Sequence, residues 1–231
     1  MLFILKKYKL FISFFVLFSI VTVSAFYMVL KPKKMLPIYN PSDVNPELVD
    51  TTIQYKAKDH KIADFKFINQ NRKVITQEDY KNKIYVADFF FTTCKTICPK
   101  MTNNMAWLQE KLKDNPKVMF LSHSVTPEID SVEVLKNYAK QKGVLDHKWN
   151  LVTGDKKEIY YMARKSYLAV KTGKPEELYD MVHTENFVLV DSKKRVRGFY
   201  DGTNLDEPTK KGIKNVSQLL EDILWLCEND K

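Results

Sequence analysis

The sequence predicts an α/β domain with a mixed central sheet flanked by helices, preceded by one transmembrane helix. Three observations carry this. Residues 10–30 contain no charged residue, apolar β-branched runs alternate with amphipathic ones from residue 65 onward, and a hairpin and a last helix close the chain. Strands and helices in that order give a sheet covered on both faces.

The uncharged run, LFISFFVLFSIVTVSAFYMVL, is long enough as a helix to span roughly 30 Å, the thickness of a bilayer's hydrocarbon core. A cleaved signal peptide has a shorter apolar run. Val23-Ser24-Ala25 offers a cleavage site, but the length favours an uncleaved anchor. Lys6, Lys7 and Lys9 precede it, and Lys31, Lys33 and Lys34 follow it. This bias is small, so orientation rests mainly on the short tail ahead of a large domain: residues 1–9 are expected in the cytoplasm and the domain outside it. There cysteines can be oxidised. Residues 31–55, with Pro32, Pro37, Pro41 and Pro46, read as an extended tether. Residues 56–231 are enough for one domain with its own core.

The net charge of +9 suggests nucleic-acid binding until it is localised. Six lysines and no acid fall within residues 1–34, and the remaining basic residues are interspersed with acids. Without a basic stripe, nucleic acid is excluded as a partner.

Within the domain, residues 65–68 and 74–75 read as a hairpin around Gln70-Asn71-Arg72. IYVADFFF (84–91) is a continuous apolar run of the kind buried on both faces of a sheet. Met101, Met105, Leu108 and Leu112 recur at helical spacing, which predicts a helix over 101–113. VMFLSHSV (118–125) is a second buried strand, 131–142 a helix, WNLVTG (149–154) a strand and 156–167 a helix. FVLVD (187–191) and VRGFY (196–200) form the hairpin, and 216–228 the closing helix. With a cysteine pair between a buried strand and a helix, this order fits a thioredoxin-like fold.

That pair, Cys94 and Cys98 in FTTCKTICPKM, can form a disulfide, exchange electrons or hold a metal. If the segment from Cys94 onward is helical, the two thiols share a face, with Cβ atoms roughly 5–6 Å apart. A helix N-terminus also favours thiolate, which is both the nucleophile and the metal ligand. A purely stabilising disulfide is the weaker reading, because so short a loop yields little entropy. Thioredoxin-type enzymes use a spacing one residue tighter and a cis-proline before a later strand. Here the residues before FVLVD are MVHTEN, with His183 and no proline. In this fold that loop lies opposite the cysteines, so His183 can add a nitrogen to the two sulfurs. Such a set suits Cu(I), Cu(II) or Zn, and three ligands suit an exchangeable ion better than a closed structural site.

DFFFTTCKTICPKMTNNM (88–105), SHSVTPEIDSVEVLKNYAKQKG (122–143) and HTENFVLVDSKKRVRGFYDGT (183–203) resemble the Sco/SenC family. These are membrane-anchored, thioredoxin-like copper proteins that serve cytochrome c oxidase assembly. The similarity runs from about His60 to Leu226, and the anchor agrees with it. The resemblance implies copper ligation by Cys94, Cys98 and His183, and cycling of the cysteines between dithiol and disulfide. Family members often have Asp-Pro where this chain has Thr126-Pro127, and Pro where it has Lys95. Neither departure touches a ligand; the first removes an acid, while Asp130 keeps the Pro-x-x-Asp spacing. No arginine-rich transit peptide precedes the anchor, so a bacterial inner membrane, with the domain on its periplasmic side, is the expected location.

The other candidates read as structural. His123 ends a buried strand on the functional edge of the sheet and is a hydrogen-bonded residue before it is an auxiliary ligand. His60 and His147 read as surface positions, Cys227 as a small packed residue, and Met101 and Met105 as core. Asp88 is either a buried acid that tunes the thiols or a capping residue. Lys193-Lys194-Arg195 reads as a solvated turn before a docking patch.

The expected function is therefore a copper metallochaperone that passes one ion to the dinuclear copper (CuA) site of cytochrome c oxidase subunit II. The alternative is an extracytoplasmic thiol–disulfide oxidoreductase that reduces the cysteines of that site, with Cys94 and Cys98 as the redox pair and Cys94 as nucleophile. A thiol peroxidase lacks the usual threonine–cysteine context.

Overall fold

The computed structural model describes residues 8–30, 34–44, 49–169, 185–209 and 212–230. The chain divides into two compact units, Met1–Met35 and Leu36–Lys231. In the first, helix α1 (Lys9–Leu30) is long and apolar enough to cross a membrane.

The second unit is built on a seven-stranded sheet of order β2-β1-β5-β4-β3-β6-β7. Its strands are β1 (Lys66–Asn69), β2 (Val74–Thr76), β3 (Ile84–Phe90), β4 (Val118–Ser124), β5 (Trp149–Thr153), β6 (Asn186–Val190) and β7 (Val196–Asp201). β3, β4 and β5 run parallel, and the other pairs are antiparallel. The parallel centre follows from its residues: β3 and β5 are mainly apolar on both faces, and every position of either strand is buried.

Helices α2 (Ile97–Leu112), α3 (Val132–Lys142) and α5 (Val216–Asn229) contribute to the core on one face. There Met101, Met105, Leu108, Leu135, Leu219 and Ile223 meet Val86, Phe90, Phe120 and Trp149. Each such side chain contributes about 2 kcal/mol by leaving water. On the other face α4 (Lys156–Tyr161) and the π-type turn Met162–Ser166 bring Ile159, Met162 and Ala163 onto Phe65, Phe67, Tyr85 and Leu121. The helix ends follow local chemistry. The Ser131 hydroxyl accepts from Val134 N–H, and Gly143 ends α3 at φ 67°, which suits a residue without Cβ.

Three features differ from the sequence reading. α2 starts at Ile97, so Cys94 lies ahead of the helix and the two cysteines do not share a helical face. The helix expected over 156–167 stops at Tyr161 and widens, with Tyr167 N–H donating to Met162 O at 2.8 Å; this turn sets Tyr167 and Leu168 into the core. Part of the stretch expected to be a free tether packs on the second unit. Leu36 is buried there, Arg197 donates to Leu36 O and Pro37 O, and Tyr39 N–H pairs with Val196 O on the β7 edge. An edge strand leaves unpaired backbone groups, and this segment covers some of them.

Candidate functional site

The C-terminal ends of parallel strands are where an α/β sheet gathers its functional loops. The loop from β3 to α2, residues 91–96, carries Cys94, and Cys98 sits in the first turn of α2. Pro99 is tolerated there because the first-turn N–H groups have no intrahelical partner. Thr96, the residue flanking α2, makes no side-chain cap. Instead the Cys98 N–H points at the Cys94 sulfur, 3.4 Å away. The Cys94 side chain thus takes the role of a cap and accepts an otherwise orphaned helix donor.

The two thiols are free and unequal. Cys98 is buried, packed among Met101, Met105 and Phe90, while Cys94 is part exposed. Burial, and then the hydrogen bond it gives to Cys94, push the Cys98 thiol up to about 12. For Cys94 desolvation opposes ionisation, but bonds from the Cys98 thiol, the Cys98 N–H and Thr96 outweigh it and hold the group below its ordinary value. The pair is arranged so that the outer sulfur ionises first and the inner one shares its proton with it.

Around the pair lie polar groups buried on the same face. Asp88, on β3, is 1% exposed and its Oδ1 has no hydrogen-bond partner. Burial pushes its carboxyl up to about 7, against the Ser122 hydroxyl, which favours the ionised form. Its charge acts on Cys98 and Tyr138. The Tyr138 hydroxyl is 2.8 Å from that of Thr102, which donates to Cys98 O. Asp130, fully buried in the loop after β4, accepts from Thr92 N–H, Ser124 Oγ and Thr126 Oγ1 through Oδ2, and from Thr92 Oγ1 through Oδ1. In the sequence Asp130 stands out only for its Pro-x-x-Asp spacing, and Thr92 does not stand out at all. A threonine two residues before the first cysteine and an acid four residues after Thr126 were the available signals.

His183 lies outside the described residues. Among the described ones, no third His, Cys, Asp or Glu joins the two sulfurs. The strand after His183 is placed: β6 pairs antiparallel with β3, so its first residue lies at the end of the sheet where the cysteine loop leaves. Gly202 N–H donates to Glu185 O at 2.7 Å, and Asn104 of α2 donates to Gly202 O at 2.8 Å. A Cβ on Gly202 would stand 2.9 Å from the Phe187 ring and 3.0 Å from Glu185 O, so that approach needs glycine.

His123 faces away from the cysteines. It is paired in register with Phe89 and stands among Phe65, Phe67, Phe89 and Tyr167, on the opposite face of the sheet from Cys98. Burial lowers its pKa to about 3, and its Nδ1 lies 3.3 Å from Asp88 O. It is a structural residue. His60 is part buried, with Nε2 2.8 Å from Ser166 O, whereas His147 is exposed. Met101 and Met105 are core. Cys227 is part buried, with Asn115 Nδ2 3.4 Å from its sulfur. In the 193–195 turn, Lys194 pairs with the distant Asp64 and Arg195 with the adjacent Asp191, so the turn's charges are matched by acids of the same chain.

Known proteins resemble this chain in sequence and fold. The SCO1/SenC family model matches residues 53–218. The SCO1 protein homolog of Bacillus subtilis (strain 168) is 38% identical over 145 residues, 62% of this chain and 75% of that one. BsSco, described as having a disulfide switch and as a member of the Sco family of cytochrome c oxidase assembly proteins, superposes with a TM-score of 0.60 at 32% identity; the match covers 74% of this chain and 95% of that one. Arabidopsis thaliana ScoI, solved with copper bound, gives 0.54 at 26% identity over 72% of this chain and 98% of that one. A mixed seven-stranded thioredoxin-like sheet, a cysteine pair just beyond the C-terminal end of its strand β3 and a family match over most of the length lead to one conclusion: the chain belongs to the SCO1/SenC family.

Proposed function

We propose that the chain is a copper metallochaperone. Cys94, Cys98 and His183 bind one copper ion, as Cu(I) or Cu(II), and pass it to the CuA site of cytochrome c oxidase subunit II. The observation that carries this is the pairing of a part-exposed, readily ionised Cys94 with a buried Cys98 just beyond the C-terminal end of β3. Two adjacent sulfurs fit copper by softness, and an imidazole completes a set of three. The antiparallel β3–β6 pairing supports His183, since the chain enters β6 at the cysteine end. Family membership and the copper-bound relative support the same ion. Cys94 is the natural point of exchange: a recipient thiolate can reach its sulfur first, while Cys98 keeps hold from below. Helix α1 anchors the chain, residues 1–9 in the cytoplasm and residues 56–231 on the extracytoplasmic side.

The test is anaerobic loading of the full chain in detergent with Cu(I) and with Cu(II), comparing wild type with His183→Ala. The variant binds both more weakly. Equal affinities would remove His183 from the site.

The asymmetry of the thiols favours a second reading, thiol–disulfide exchange, and BsSco is described as having a disulfide switch. Cys94 thiolate attacks a target disulfide, forming a mixed disulfide and releasing one target thiolate. Cys98, deprotonated, then displaces the second, so the pair gives up two electrons and closes as a disulfide. Rapid reduction of an oxidised target by a wild-type chain that takes up no copper would make this the principal activity.

A further inference from the structure

The carboxyl group of Asp130 stands where two loops meet. It is fully buried, and its donors come from the end of β4 and from the loops after β3 and β4. Thr92, from the loop after β3, gives both its N–H and its hydroxyl, reaching across 38 positions of sequence. Ser124, at the end of β4, gives a hydroxyl at 2.6 Å, and Thr126 one at 3.1 Å. The Val125 N–H adds a backbone bond to Phe90 O at 2.9 Å. Within the cysteine loop itself the Cys94 N–H bond is local, to Phe91 O at 3.3 Å. Thr92 is two residues from Cys94, so its two bonds to Asp130 fix the point from which the outer cysteine departs.

We infer that Asp130 is a positioning residue for the Cys94–Cys98 pair and acts through Thr92. The inference rests on the reading of these cysteines as the copper and redox site. A buried carboxyl group needs its acceptor positions filled, and here they are filled by the segment that carries a reactive thiol. The bonds are in place with both thiols free, and closing the disulfide requires the Cys94 sulfur to move to about 2.05 Å from that of Cys98. Loosening them lowers the cost of moving the Cys94 sulfur onto Cys98 and of losing the geometry that two sulfurs need to share an ion. Thr126 provides an internal control, because it gives the same carboxyl a hydroxyl bond from a loop that carries no cysteine.

The experiment uses the full chain in detergent, as wild type, Thr92→Val, Thr126→Val and Asp130→Asn. The dithiol–disulfide equilibrium of Cys94 and Cys98 is measured in thiol redox buffers, with thermal unfolding recorded for each variant. Thr92→Val moves the equilibrium about tenfold toward the disulfide, the size expected of one hydrogen bond to a carboxyl group, while Thr126→Val leaves it within about twofold of wild type. If Asp130→Asn folds, it follows Thr92→Val; if it does not, the two threonine variants decide. A shift for Thr92→Val no larger than that for Thr126→Val, or a shift toward the dithiol, overturns the inference. Copper uptake by wild type is scored separately, so failure of the metal reading leaves the redox comparison intact.

Discussion

Two carboxyl groups are buried near the cysteines, and the fold supplies them in opposite ways. Asp130 accepts from four donors on Thr92, Ser124 and Thr126, at the ends of two neighbouring strands, whereas Asp88 keeps one oxygen without a partner. The difference separates a joint from a titrating group. A carboxyl group whose acceptor positions are filled fixes the segments that fill them. One left short of donors in a buried place resists ionisation, and Asp88 is accordingly pushed up to about 7.

The largest effect that can break this comparison is the loss of the joint. Asp130→Ala leaves the Ser124 and Thr126 hydroxyls and the Thr92 N–H without their acceptor in a buried place, which costs about 3 kcal/mol or more. Chemical denaturation measures it, and a loss below about 1 kcal/mol would show that the four bonds contribute little.

Asp88→Asn comes next and acts through pH. In the fold Asp88 titrates near 7 against an ordinary 3.8, so between those values the folded chain keeps a proton that the unfolded chain has released. Stability from this group is full below about pH 3.8 and declines as pH rises to 7. His123, lowered from 6.5 to about 3, has the opposite sign: its stability is full above pH 6.5 and declines as pH falls through that window. The two slopes partly cancel in wild type. Cys98 and Tyr138, which face Asp88, are both pushed up to about 12 and stay neutral throughout. The stability of Asp88→Asn relative to wild type therefore rises by on the order of 3 kcal/mol between pH 4 and pH 7 in the metal-free, reduced chain. A difference independent of pH would contradict the burial of Asp88 with one oxygen unpartnered.

The smallest effect sets the scale for exposed charge. Asp64 pairs with Lys194 at 2.8 Å while its side chain is 83% exposed. Asp64→Ala changes stability by less than about 0.5 kcal/mol, and raising the salt concentration erases that change.

The parts legible in the sequence were those governed by burial along one element. β3, β4 and β5 show as mainly apolar runs without a polar face because both their faces are covered, and α2 shows through the spacing of Met101, Met105, Leu108 and Leu112. What escaped depends on contacts between distant segments. The start of α2 was misplaced because Cys94 Sγ replaces a conventional cap, and cysteine is not read as a capping residue. The docking of Leu36 and Tyr39 depends on Arg197 and Val196 far along the chain, so their prolines alone suggested a free tether. Within the site, the spacing of Cys94 and Cys98 showed the pair, and analogy with thioredoxin's first cysteine pointed to Cys94 as the outer thiol, which it is. The joint at Asp130 needed both loops in place before Thr92 could be seen as part of it.

The central claim, that copper is held by two sulfurs and one nitrogen of this chain, is tested most directly by X-ray absorption at the copper edge of the anaerobically loaded full chain. The account predicts two sulfur neighbours and one imidazole nitrogen in wild type, with one sulfur lost in Cys98→Ser. A first shell without both sulfurs, or one unchanged by Cys98→Ser, would contradict it.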